Sequence, residues 1–377
     1  MLRIEKIIGE IKNAVKESKE LQKAKEDLID KAIKVLKRVE PGEIEKKRNF
    51  IPVDFPVATP LRKPINRIFT KQDIEDYIAV ATDGSEIPID FDFPLYYYVI
   101  NIGKVVIKYG KDSYFFSDSV PKIFYKEEDL FSRIGKENLI VKGELLESKM
   151  LLQESIALSD ILESVKDDKL PKVSLIDGTL IQWEVKGRNE DFKQEFIDKF
   201  ERLFEKSKKL NIPLAGYISG SHSKEIVGMV KLQCISENLD ERDIKKFDIL
   251  QDVDIFGRLL KKGERSVLFR SNAPILTYYK APIYFFYLNV GKEIARVEIP
   301  QFVMQNNEKM ELLQKLLLSQ AEKGMGYPVA LKEAHEQAVI HNGEKSSLRE
   351  IFIELLNKEG ANSGINYKSL FKQTRNI

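Results

Sequence analysis

The chain has 377 residues, 43% of them hydrophobic and 32% charged, and its 61 Lys and Arg nearly cancel its 59 Asp and Glu to leave a net charge of +2. That length holds one elaborated domain or two smaller ones. The near balance excludes a uniformly basic chain, so any nucleic acid must be gripped by local clusters of cations.

The single cysteine, Cys234, excludes an internal disulfide and a cysteine-based zinc site. The opening Met1-Leu2-Arg3-Ile4-Glu5-Lys6 places charges where a signal peptide needs an apolar stretch. The most apolar segment, 281–290, is about half the length of a bilayer-spanning helix. The expectation is a cytoplasmic protein with no membrane segment.

Residues 2–39 read as one long helix in which Ile4, Ile8, Ile11 and Val15, then Leu28, Ala32, Val35 and Leu36, follow a three–four spacing until Pro41-Gly42. One apolar stripe suits a coiled-coil arm for dimerisation or partner docking, and equally a helix laid on its own domain. Residues 46–67 carry Pro52, Pro56, Pro60 and Pro64 beside Lys46, Lys47, Arg48, Arg62, Lys63 and Arg67, a linker-like composition. The expected division is an N-terminal helical arm over 1–45, a Pro-rich basic linker over 46–70 and one domain over 71–377.

Next, Tyr77-Ile78-Ala79-Val80-Ala81-Thr82 reads as a buried strand ending in Asp83-Gly84-Ser85, and 96–108, broken at Gly103, as a hairpin. Residues 144–165 read as an amphipathic helix with Leu145, Leu152, Ile156, Leu158 and Ile161 as its apolar positions. A second buried strand, 173–176, again ends in Asp-Gly: Asp177-Gly178-Thr179. A helix over 190–209, a strand over 213–219 and a helix over 224–235 follow. Strands over 282–290 and 294–299 precede helices near 307–323, 330–341 and 346–358. Interleaved strands and helices give an α/β fold.

Two buried strands thus each deliver an aspartate followed by glycine. A carboxylate at the end of a buried strand is rigidly held, and glycine keeps bulk away from a ligand; Asp-Gly is equally an ordinary turn signal. Glu147, Glu154 and Asp160 on the intervening helix are candidates for a third carboxylate, with Leu151, Ala157 and Leu158 placing the buried face close to Glu154. Three converging carboxylates repel one another unless cations lie between them, and hard oxygen donors select Mg²⁺ or Mn²⁺. Two such ions about 4 Å apart suit phosphodiester hydrolysis. Of the three histidines, His222 lies in a polar turn and His341 at a helix end, while His335 borders the stripe of Leu331, Ala334 and Ala338.

The segment 324–340, with Tyr327-Pro328 and Glu333-Ala334-His335-Glu336-Gln337-Ala338, resembles the C-terminal motif of the NurA family of DNA-repair nucleases. Gly263-Glu264-Arg265-Ser266, Phe285-Phe286-Tyr287-Leu288 and Glu293-Ile294-Ala295-Arg296-Val297-Glu298-Ile299-Pro300 add to the resemblance, and the two Asp-Gly strands and Glu154 fall in the family's order. The resemblance covers roughly 75–345. It implies an RNase H-like mixed sheet flanked by helices, Mn²⁺-dependent cleavage of DNA with Mg²⁺ as an alternative, a ring-shaped homodimer, and partnership with a HerA-type hexameric ATPase in end resection. It implies that Asp83, Glu154 and Asp177 are metal ligands, that His335 completes the site and that Tyr327 lines it. One departure stands out: where many relatives carry a basic residue after the Tyr-x-Ser strand, this chain has Gly220, with Lys224 four residues on.

For DNA contact, Lys224, Lys261, Lys262, Arg265 and Arg270 are the candidate cations, each equally readable as part of a solvated loop. Phosphate contacts are blind to sequence, so no base specificity is expected. The rival to a nuclease is a non-catalytic DNA-end clamp or adaptor with a degenerate acidic site.

Overall fold

The structure, a computed structural model, describes residues 3–134, 137–185 and 190–360. Residues 1–2 of the predicted arm and 361–377 of the predicted domain lie outside them. The elements used below are, in chain order, α1 (Ile8–Leu36), α2 (Glu43–Phe50), β1 (Tyr77–Ile87), β2 (Tyr98–Tyr109), β3 (Tyr114–Phe124), α3 (Glu144–Ser164), β4 (Lys172–Asp177), α4 (Glu190–Lys209), β5 (Leu214–Ile218), α5 (Glu225–Ser236), α6 (Asp252–Leu259), β6 (Ile283–Asn289), β7 (Ile294–Pro300), α7 (Asn307–Lys323), α8 (Val329–Ala338) and α9 (Asn342–Lys358). Among the described residues no helix is long and apolar enough to cross a membrane.

Two compact units arise from interleaved segments, the division falling inside β5. The first comprises Met1–Gln72, Tyr217–Leu276 and Ala281–Met304. In it β6 and β7 form an antiparallel pair from Ile283↔Pro300 to Asn289↔Ile294. Residues 264–266 and 269–270 pair with β6, so the segments around Thr59 and Ile68 reach the sheet through them. Leu28, Ala32 and Leu36 of α1 pack with Ile226 and Val230 of α5, Phe256 of α6, and Phe285 and Tyr287 of β6. The last third of α1 is therefore core, while Ile4, Ile8, Ile11 and Val15 stay exposed. The predicted linker is helical over its first residues, because α2 runs to Phe50 and prolines begin only at Pro52.

This unit also buries a charged network. The guanidinium of Arg296 donates to Glu225 at 2.7 Å, to Glu298 at 2.9 Å and to Ser223 at 2.8 Å. Asp252 caps α5: its carboxylate accepts from the Ile226 and Val227 amides at 3.0 and 2.9 Å and from the Tyr287 hydroxyl at 2.8 Å. Burial outweighs these donors and pushes its pKa up to about 6.

The second unit comprises Asp73–Gly216, Thr277–Lys280 and Gln305–Ile377. Its sheet has the order β3-β2-β1-β4-β5. The first three strands form an antiparallel meander, and β4 lies parallel to β1 from Ile78↔Lys172 to Thr82↔Ile176. An antiparallel triplet extended by a parallel strand beside the first is the RNase H-like arrangement, and α3 and α8 both pack on β1 and β2. The fully buried β1 stretch 77–81 matches the near-continuous apolar run expected of a central strand covered on both faces.

Three local readings are corrected. The strand β1 does not end at Asp83 but continues to Ile87, paired throughout with β2. Residues 98–109 form one continuous strand rather than a hairpin broken at Gly103. On α3, Leu145, Leu158 and Ile161 are buried, but Ile156 is exposed.

Candidate active site

Alternation along β1 distributes its residues between two helices. Thr82 and Gly84 face α3: the Thr82 hydroxyl donates to the Glu154 carbonyl at 3.3 Å, and a Cβ on Gly84 would lie 2.7 Å from Met150 Cγ and collide with a Glu154 carboxylate oxygen. Asp83 and Ser85 face α8: the Ser85 hydroxyl donates to the Ala338 carbonyl, and Asp83 Oδ2 lies 2.8 Å from His335 Nδ1. Gly84 serves here as a place without bulk, not as a turn. The second Asp-Gly differs, because Gly178 has φ +105° and does turn the chain after β4.

The parallel register brings Asp83 and Asp177 together. Thr82 pairs with Ile176, so the next residues, Asp83 and Asp177, emerge side by side on adjacent strands, whose spacing is about 4.8 Å. Glu154 arrives from α3. It is 4% exposed, whereas Glu147 and Asp160 on the same helix are exposed. Burial raises the Glu154 pKa well above the usual carboxylate range, and the charges of Asp83 and Asp177 raise it further. Glu147 instead bears on Glu86, whose pKa rises through burial and then through Glu147.

The donor set is hard oxygen plus one imidazole, which fits Mg²⁺ or Mn²⁺, and the accumulated negative charge fits it too. Among the described residues, no three His, Cys, Asp or Glu side chains are grouped closely enough to hold an ion as they stand. Both Asp83 oxygens already accept hydrogen bonds or face a donor: Oδ1 takes the Gly84 amide at 2.9 Å, and Oδ2 meets the His335 ring.

His335 is the exposed member, with its side chain 58% accessible. Its contact through Nδ1 directs Nε2 away from Asp83. Tyr327 is half-buried in the turn before α8, where Met325 and Gly326 both have positive φ. His335 lies six positions along the helix from Val329, a rise of roughly 9 Å. His222 and His341 lie elsewhere: His222 is exposed, its Nδ1 2.7 Å from the Gln251 amide nitrogen, and His341 caps α9.

The candidate DNA-contacting cations belong to the other unit. Lys261 and Lys262 are exposed, and Lys224 donates to the Asp248 carbonyl at 2.5 Å. Arg265 is buried, donates to the Ser266 carbonyl and lies over the Phe286 ring at 5.4 Å, with burial pushing its pKa down to about 10. Its side chain therefore faces the interior rather than solvent.

Sequence reading missed the residues that hold α8. Asn101 donates to the Ala338 and Gln337 carbonyls, and the Ala330 amide donates to Gln320. The available signal was Gly103, since glycine inside a strand marks a close approach. A Cβ there would stand 2.7 Å from the Ala338 amide nitrogen.

Residues 77–340 match the family described as the NurA domain. Among solved structures, the NurA nuclease from Sulfolobus solfataricus is similar in fold, with a TM-score of 0.50 at 16% identity over 95% of this chain and 98% of that one. The catalytic domain of human Endonuclease V gives a TM-score of 0.33 at 11% identity, over 75% of this chain and 85% of that one. No curated protein matches the sequence.

Proposed function

The chain belongs to the NurA family, and on that premise we propose that it is a metal-dependent deoxyribonuclease that hydrolyses DNA phosphodiesters at Asp83, Glu154, Asp177 and His335. The observation that carries the reading is the placement of Glu154, a buried carboxylate on which two aspartates from adjacent strands impose further negative charge. A divalent cation, Mn²⁺ or Mg²⁺, would offset that charge and supply electrostatic stabilisation of the phosphodiester as it is cleaved.

The chain's own contributions follow from the geometry. Asp83 and Asp177, rigid at adjacent strand positions, would hold cations on one side, with Glu154 reaching them beside the bare Cα of Gly84. Asp83 also orients the His335 ring through Nδ1. Protonated, that ring can give its Nε2 proton to a leaving oxygen. Lys261 and Lys262 would meet phosphates without reading bases. Action in 5′-end resection with a HerA-type hexameric ATPase, and function as a homodimer in the cytoplasm, belong to the same proposal and rest on family membership.

The deciding experiment measures cleavage of linear and single-stranded DNA with Mn²⁺, with Mg²⁺ and with EDTA, together with the melting temperature at each. A catalytic site predicts metal-dependent cleavage, and a Mn²⁺-induced rise in melting temperature that Asp83→Ala removes. DNA binding without cleavage in any metal would favour the clamp instead.

A further inference from the structure

The helix α8 has ten residues, too few to be stable by itself in water. Its position is set by what grips its ends. At the N-terminus the Ala330 amide, one of the groups a helix leaves unpaired, donates to Gln320 Oε1 at 2.9 Å. Gln320 is fully buried; the Ala330 N–H can only donate and so takes Oε1, which leaves Nε2 to donate to the Tyr77 and Tyr109 hydroxyls at 3.0 and 3.1 Å.

At the C-terminus Asn101 donates from Nδ2 to the Ala338 carbonyl at 2.8 Å and to the Gln337 carbonyl at 3.2 Å. The Ser85 hydroxyl donates to the same Ala338 oxygen. Asn101 is buried in turn, and the Ser119 hydroxyl occupies its Oδ1 at 2.9 Å, so the Nδ2 donors are turned to the helix. Between the two ends, bare Gly103 lets the α8 backbone lie on β2.

Two buried amides thus clamp both ends of one short helix, and the exposed face of that helix carries His335. A one-residue slip of α8 would move the ring by about 1.5 Å along the axis and about 100° around it. Either displacement breaks a 2.8 Å contact with Asp83.

We propose that Asn101 and Gln320 are positioning residues that set the register of α8 and so hold the His335 imidazole on Asp83. The inference deepens the nuclease reading and rests on it for its consequence in catalysis. It rests on geometry alone for the His335–Asp83 contact.

The test uses the full-length, ¹⁵N-labelled chain without metal or DNA and reads the histidine ring nitrogens at one pH. There are only three histidines, and Asp83→Ala gives the reference position for a His335 ring released from its partner. Asn101→Asp keeps the shape but cannot donate to the two carbonyls; Gln320→Leu removes the acceptor for Ala330. Each should move the His335 signal at least halfway to its position in Asp83→Ala, with His222 and His341 unmoved. Each should also lower kcat for DNA cleavage by about 10- to 100-fold with KM little changed, the scale of a 1 Å misplacement.

A lowered melting temperature with the His335 signal at its wild-type position in both variants would overturn the proposal, because the amides would then only stabilise the fold. Should a variant fail to fold, Ser85→Ala removes one of the donors to Ala338 while leaving Asn101. It should give a smaller shift in the same direction, and an unmoved signal would overturn the proposal equally. A shifted His335 signal with unchanged cleavage leaves the positioning intact and removes His335 from the chemistry, so the two readings fail separately.

Discussion

The Nδ1 atom of His335 lies 2.8 Å from Oδ2 of Asp83, joining a short helix to a central strand across 252 positions of chain. Asp83 therefore has two neighbours of opposite kind: an imidazole on one face of the sheet, and on the other Glu154, whose ionisation its charge opposes.

Asp83→Asn and Asp177→Asn should each abolish DNA cleavage while leaving the circular-dichroism melting profile close to wild type, since each removes charge without volume. His335→Ala should reduce the rate by about 10²-fold or more, the scale of an acid–base group, with DNA affinity little changed. His222→Ala and His341→Ala are the controls. A wild-type cleavage rate in Asp83→Asn or Asp177→Asn would refute the carboxylate site; the same rate in His335→Ala would leave a site of carboxylates only.

Glu154→Gln should eliminate cleavage yet raise the melting temperature in EDTA at neutral pH, because it replaces a carboxyl group whose ionisation burial and two aspartates oppose. Glu147→Gln, at an exposed position, should change neither greatly. Gly84→Ala should destabilise by about 1–3 kcal/mol, the usual cost of overpacking, and also lower cleavage by displacing Glu154. If Glu147→Gln proves the more damaging of the two glutamate changes, the third carboxylate has been misassigned.

Asp252 supplies a pH test. Its folded pKa, about 6, lies above the usual aspartate value of 3.8, so the folded chain holds its proton more tightly than the unfolded chain. Stability contributed by this group is thus complete at low pH and is lost as pH rises through 6. Asn at this position can still accept from Ile226 and Val227. Asp252→Asn should therefore gain melting temperature over wild type as pH rises from about 4 to 6, with the difference level above that. A difference that is flat across this range, or that shrinks, contradicts the assignment.

Truncation should separate the two parts of α1. Removing residues 1–20 takes away exposed Ile4, Ile8, Ile11 and Val15, so metal-dependent cleavage of short DNA should persist while association with the ATPase or with a second copy weakens. Removing 1–40 also takes Leu28, Ala32, Val35 and Leu36 out of a core and should unfold the first unit. Calorimetry and size-exclusion chromatography report both. Intact stability after the longer cut would show that this end of α1 is dispensable to the core.

Charge reversal should distinguish surface cations from buried ones. Lys261→Glu with Lys262→Glu should weaken DNA binding uniformly across sequences and flatten its salt dependence. Arg265→Ala should instead lower the melting temperature, because its guanidinium is buried over Phe286. Equal affinity losses with no thermal change in Arg265→Ala would place that side chain at the DNA.

The sequence by itself determined the local facts. Continuous apolar runs at 77–82 and 173–176 made buried strands, and three–four spacing marked α1. The motifs around Tyr327-Pro328 and His335, with those at 263–266, 285–288 and 293–300, carried the resemblance to the family. Each depends on residues near one another in the chain, where periodicity is visible. It could not distinguish two Asp-Gly pairs of opposite meaning, because Gly178 is needed for a positive φ and Gly84 for the side chain that lies against it. Its apolar neighbours put Glu154 near the buried face of its helix but left Glu147 as an alternative, and burial in the folded chain is what separates the two. The strand β3, exposed along nearly all its length, offered no alternation to detect. Gly103 hinted at a close approach, but tertiary structure alone decided that Asn101 and Gln320, both outside any motif, hold the helix that carries His335. Hydrogen bonds and close approaches between distant segments leave no period in the sequence, so they are legible only once the sheet has brought the segments together.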